Sequence, residues 1–157
     1  PDDTATLWQL KEAALHHLWD NDRQVFISGA VRQVSWASQI WLVLAEVGTA
    51  GERAGLMRRP AEHAARPALD NPPPIAMNTP YLRHHHIVAL LQSGLREEAV
   101  AEIKAYWGAM VAYGADTFWE IFDPQHPDFS PYGSKLINSY CHAWSCTPAW
   151  FIRQYGL

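Results

Sequence analysis

The sequence predicts an all-α fold made of helical hairpins. Apolar residues recur at three- and four-residue intervals along six stretches. Successive stretches alternate between helices with one polar face and helices that are apolar nearly all round. No stretch shows the regular polar–apolar alternation of a strand.

The first helix is expected from Thr6 to Trp19, with Leu7, Leu10, Ala14, Leu15 and Leu18 on one side and Lys11 and Glu12 on the other. Asp20, Asn21 and Asp22 stop it. Val25 to Ile27 reads as a short extended segment or loop before Gly29. A second helix, Ser35 to about Val47, carries Trp36, Ile40, Trp41, Val43 and Leu44 around its circumference, which suits an internal position. Thr49 and Glu52 have capping-box spacing and open a third, polar helix that Pro60 ends or kinks. Ala61 to Ile75, with Pro67, Pro72, Pro73 and Pro74, reads as a long loop. Pro80 sits at the first position of a fourth, internal helix capped by Asn78 or Thr79 and ended by Gly94. The fifth, Leu95 to Met110, turns Glu97, Glu98, Glu102 and Lys104 to water. The sixth is expected from about Ser139 to Gln154, with a kink or break at Pro148.

At 157 residues the chain has room for one real core. The 48% hydrophobic and 18% charged content belongs to a globular protein. A net charge of −4 gives no reason to expect nucleic acid as a partner. No apolar run approaches the ~20 residues of a membrane span, and no secretory leader is read. Cys141 and Cys146, on one expected helix, would stand about 8–9 Å apart on different faces, so they are expected as buried free thiols. That usage fits a reducing compartment, with a bacterial cytoplasm as the expected location.

The chemistry gathers between Gly114 and Trp150. Glu120 follows Phe118 and Trp119, a turn-rich loop spans Asp123 to Ser134, and Asn138, Ser139, Tyr140 and His142 follow. Aromatic faces stack on the apolar faces of a pyranose, while carboxylate, amide and imidazole groups bond its hydroxyls. In an outer–inner hairpin arrangement the inner helices are parallel, so their N-terminal ends share a rim. That rim would hold Trp36, Tyr81, Asn138 and His142, and the loop bearing Trp119 and Glu120 would enter it. Tyr81 and His84 project one turn apart from the fourth helix. His84, His85 and His86 point about 100° apart and cannot converge on one ion, so neither metal nor cofactor is expected.

GADTFWE, SPYG and NSYCHAWSCTP resemble the C-terminal part of the catalytic domain of bacterial α-L-rhamnosidases, the six-hairpin inverting glycosidases. FISGAVRQVSWASQIW, TPYLRHHHIVALLQSGLREEAV and KAYWGAMV are similar to the same family in the same order. The resemblance implies that residues 1–157 form the C-terminal half of an (α/α)6 barrel, part of one catalytic domain. It implies hydrolysis of terminal α-L-rhamnosides with inversion, Glu120 being the general base. Trp36, Tyr81, His84, Trp119, Asn138 and His142 are the expected substrate-binding residues. The family's acid motif lies upstream and has no counterpart here, so the isolated chain is expected to be inactive. It would self-associate or pack against the N-terminal remainder of its domain, with a rhamnose-containing saccharide as ligand. The alternatives are a six-hairpin glycosidase for another sugar, or a helical-hairpin scaffold that catalyses nothing.

Overall fold

The computed structural model describes residues 3–65 and 73–157. Among them are six α-helices and one two-stranded hairpin, so the chain is predominantly helical as expected. The proline-rich stretch 66–72 lies outside the described residues. The chain divides into two compact units, one of residues up to Ala76 with Ala89–Leu95, the other of Met77–Val88 with Arg96–Leu157. No helix among the described residues is long and apolar enough to cross a membrane.

The first unit holds α1 (Thr4–Leu18), the hairpin β1 (Trp19–Asp20) and β2 (Val25–Phe26), α2 (Trp36–Leu44) and α3 (Ala50–Ala65). The strands pair antiparallel with Trp19 opposite Phe26 and Asp20 opposite Val25. Sequence pattern could not predict two-residue strands, and polar side chains hold them. The buried Asp20 carboxylate accepts the Asp22 and Arg23 N–H groups, each at 3.1 Å, and Arg32 at 2.5 Å. Burial alone would raise its pKa, but these donors and the guanidinium outweigh it and leave the group below the usual carboxylate range. From α2, buried Gln39 accepts the Phe26 N–H and donates to the Phe26 carbonyl, both at 2.8 Å, as a neighbouring strand would.

On α2, Trp36, Gln39, Ile40 and Val43 are buried and Trp41 is 45% exposed, leaving one apolar face uncovered. One expectation needs correction in this unit: α3 does not end at Pro60 but continues to Ala65, so residues 61–65, read as loop, are helical, because a proline removes one helical hydrogen bond without having to end the helix. The capping box forms as expected, with Glu52 accepting the Thr49 N–H at 2.7 Å. Gly48 precedes it at φ 81°, a conformation that favours glycine, and an added Cβ would stand 3.0 Å from the Glu52 carboxylate.

Helix α4 (Pro80–Gln92) begins at Pro80, with its residues to Val88 in the second unit, and α5 of that unit spans Arg96–Ala112. Arg83 of α4 forms an ion pair with Glu102 of α5, donates to the Met77 carbonyl at 3.2 Å, and lies 4.8 Å over the Tyr106 ring. Burial would raise the Glu102 pKa, but His86 and Arg83 outweigh it and hold the carboxyl at about 2. Helix α6 is shorter than predicted: it covers Thr147–Tyr155, with Pro148 in its first turn and Gly156 closing it at φ 62°. Arg96 ties that end down, bonding the Tyr155 and Gly156 carbonyls. Residues 138–142, expected as the start of the helix, are instead irregular and extended. The thiols expected to be buried on that helix are accordingly free and exposed.

Candidate active site

Between α5 and α6 lie thirty-odd residues whose only helical turns are two 3₁₀ turns, Lys135–Ile137 and Ala143–Ser145. Backbone pairing with another irregular segment explains why 139–142 is not helical. The Glu120 N–H donates to the Ser139 carbonyl at 2.9 Å, and the His142 N–H donates to the Phe118 carbonyl at 2.7 Å. The Thr117 hydroxyl donates to the Tyr140 carbonyl between them. The two segments therefore run antiparallel as a clamp, and a helix beginning at Ser139 would forfeit these bonds.

Helix α5 anchors the clamp from below. The Tyr106 hydroxyl donates to the Phe122 carbonyl at 2.8 Å, and the Trp107 indole N–H donates to the Ser145 carbonyl at 2.9 Å. Burial pushes the Tyr106 phenol far above its ordinary pKa, so it remains a donor throughout the physiological range. The Phe122 N–H reaches the Asn78 carbonyl at 3.2 Å, which brings the Glu120 segment to the N-terminal end of α4. That gathering was expected of a helix rim; the structure achieves it with an extended segment in place of the sixth helix end.

Glu120 is half-buried at the clamp's edge. Its Oε1 accepts the Tyr132 hydroxyl at 3.0 Å, and its Oε2 accepts the Ser139 N–H at 3.2 Å. Among the described residues no ion pair reaches it. The Trp119 ring beside it packs edge-on to Tyr140 at 5.1 Å and to Phe122 at 5.9 Å. His142 is half-buried, its ring 6.0 Å from Trp144, which in turn lies 5.4 Å from Tyr81. Trp144 and Tyr81 are both exposed, at 66% and 45%.

The other expected residues are placed differently. His84 is half-buried against Trp150 at 5.3 Å and Phe151 at 4.9 Å, with Nδ1 buried and unbonded. Burial, and then the neighbouring His85, depress its pKa, so it is neutral at pH 7. Its neighbour His86 faces Glu102 at 3.9 Å, and the two rings diverge as their spacing predicted. Among the described residues no cluster of His, Cys, Asp or Glu is arranged to hold a metal. The Asn138 side chain is buried and engaged by its own loop, accepting Ser130 Oγ at 2.7 Å and donating to the Phe129 carbonyl at 3.4 Å. Trp36 lies in the first unit, 5% exposed.

Sequence reasoning missed Tyr132. It stands in SPYG, a motif the resemblance singled out, but its contact with a residue twelve positions away leaves no local pattern. Trp144 was missed also, although it falls inside NSYCHAWSCTP.

No family model and no curated protein matches the chain. Solved structures similar to it include two rhamnosidases. A rhamnosidase from Klebsiella oxytoca with rhamnose bound is 73% identical over 96% of this chain, with a TM-score of 0.85. Over nearly its whole length the chain is thus similar to part of a rhamnosidase. It spans 28% of the length of that rhamnosidase. A GH78 family rhamnosidase of Bacillus sp. GL1 is 24% identical, with a TM-score of 0.70 over 93% of this chain and 15% of its own, and shares the fold. The resemblance read from GADTFWE and its companion motifs is thus borne out, and so is the predominantly helical fold.

Proposed function

We propose that this rhamnosidase-like fragment supplies the general base and part of the sugar pocket of an inverting α-L-rhamnosidase acting on terminal α-L-rhamnosides. Residues 1–157 would be the C-terminal part of one six-hairpin catalytic domain. The observation that carries the reading is the Glu120 carboxylate: half-buried, beside aromatic rings, bonded by Tyr132 and Ser139, and without a counter-cation among the described residues. In the reaction, Glu120 takes a proton from water as the water oxygen bonds to the anomeric carbon. The glycosidic bond breaks on the opposite face, and an acid outside this chain protonates the departing oxygen.

Trp119, Tyr81 and His142 would contact the sugar, the first two through their ring faces and the third through its imidazole. His84 and Asn138 would support the pocket from behind, since their side chains are taken up by packing and by the loop. A base without its acid leaves this chain inactive by itself. Exposed Trp8, Trp41, Trp150 and Ile152 suit a piece that packs against the rest of its domain, or against another copy, when isolated.

Glu120→Gln in the complete enzyme tests the reading. It should lower kcat on an aryl rhamnoside by about 10²–10⁴ with KM largely kept. Near-wild-type turnover by this variant would overturn the assignment.

A further inference from the structure

The loop after Glu120 is internally braced. Asp123 accepts the Gln125 N–H at 2.9 Å and lies 3.1 Å from His126, fixing the first turn. Asp128 bonds the Lys135 ammonium at 2.5 Å and the Tyr113 hydroxyl at 3.1 Å, tying the loop to the end of α5. Nearer the base, buried Asn138 accepts the Ser130 hydroxyl, and the Ser130 oxygen accepts the Tyr132 N–H at 3.2 Å. Tyr132 then reaches back across the loop to Glu120 at 3.0 Å. A continuous relay thus runs from Asn138 through Ser130 and Tyr132 to the carboxylate.

We propose that Tyr132 is a positioning residue for Glu120, and that the loop is a clasp whose Asn138–Ser130 link aims it. The inference rests on Glu120 being the base. A carboxylate that must abstract a proton from one water needs a fixed orientation. Ser139 and Tyr132 each take one oxygen, which sets the carboxylate plane and leaves lone pairs on both oxygens for water. The hydrogen bond to Glu120 raises the pKa of the Tyr132 phenol. The other ionisable groups around the clamp are Tyr140 and His142 on the partner segment and the loop ions Asp123, Asp128 and Lys135. Asp128 and Lys135 neutralise each other, and Asp123 faces His126.

Tyr132→Phe in the complete enzyme keeps the ring of a half-exposed residue and removes only the hydroxyl. It should lower kcat on an aryl rhamnoside by about 10-fold or more, the worth of a hydrogen bond to a charged group, with KM within about twofold. Ser130→Ala should lower kcat in the same way by less. Unchanged kcat would overturn the inference, and so would a raised KM with kcat kept, which would make the phenol a sugar contact. A second readout needs no turnover: tyrosine titration by NMR of the same enzyme and its Glu120→Gln variant. Tyr132 should titrate at lower pH in the variant; an unmoved midpoint would overturn the contact. Should Glu120→Gln keep full activity, the base assignment falls, and with it the positioning role, whatever the titration shows.

Discussion

Asp20 and Glu120 are both carboxylates held by backbone N–H groups on short extended segments, yet their surroundings differ. Asp20 is buried, accepts two N–H groups and pairs with a guanidinium. Its acceptor capacity is nearly spent and its charge is cancelled. Glu120 has one donor on each oxygen, keeps one edge toward water and meets no cation among the described residues. The comparison teaches a distinction between a carboxylate that holds a fold and one that keeps open coordination, as the proposed base requires. Saturation with donors lowers proton affinity and fixes structure; partial coordination leaves reactivity.

The largest effect should come from Glu120→Gln. Beyond the loss of about 10²–10⁴ in kcat, the comparison predicts that stability hardly changes, within about 1 kcal/mol, because the amide oxygen can still accept the Ser139 N–H and the Tyr132 hydroxyl can turn to accept from the amide N–H₂. Thermal unfolding of the complete enzyme checks this. A large drop in melting temperature would place Glu120 with Asp20 among the structural carboxylates.

Next comes the pair between α4 and α5. Arg83→Met should cost about 3 kcal/mol, since it strips the main counter-charge from a carboxylate that is only 21% exposed. Hydrogen exchange in α4 and α5 would report it. The pH dependence has a definite sign. The folded pKa of Glu102, about 2, lies below its ordinary 4.5. Its contribution is therefore fully present above about pH 4.5 and is lost as pH falls toward 2. Asp20, also depressed, contributes in the same sense. Protection in α4 and α5 that grows on acidification from pH 5 to 3 would contradict that sign.

Gln39→Met sharpens the comparison by removing saturation without removing a charge. It would leave the Phe26 N–H and C=O without their 2.8 Å partners in a buried place. The expected cost is about 2–3 kcal/mol, seen as faster exchange at Val25 and Phe26. Protection as in the wild type would mean that strand pairing alone holds the hairpin.

How much was legible in the sequence follows the same division between local and distant partners. Helices α1, α4 and α5 could be read because their evidence, apolar periodicity and for α4 a capping residue and a proline, lies at the helix itself. Glu120 could be proposed as the base because Trp119 and Glu120 sit together in a motif. The hairpin could not, since Gln39 holds it from thirteen residues away. Nor could the extended course of 139–142. Tyr140, Ala143 and Trp144 have helical spacing, but the N–H groups of Glu120 and His142 decide the backbone by pairing across twenty residues of chain. Pro148 was the local clue: a proline suits a helix's first turn better than its middle, so the helix had to begin just before it.

The smallest effect, and the closest counterpart to Glu120→Gln, is expected from Asp20→Asn. The amide keeps the size and one acceptor oxygen, so the Asp22 and Arg23 N–H groups can retain a partner. What disappears is the charge facing Arg32. That guanidinium is 59% exposed and can turn to water, so its loss of a partner costs little. On the other side, the amide N–H₂ introduces donors where the carboxylate met only donors, and one N–H must face Arg32 or the turn. These terms together suggest about 1–2 kcal/mol, within the range for hydrogen bonds to a charged group. Hydrogen exchange should quicken across the turn between Asp20 and Val25, while kcat and KM on an aryl rhamnoside stay within about twofold of wild type. The two variants, each a carboxylate turned into its amide, should thus give opposite results: activity lost with stability kept at Glu120, stability lost with activity kept at Asp20. A tenfold loss of kcat in Asp20→Asn would break the distinction, because a hairpin carboxylate would then matter to chemistry it does not touch.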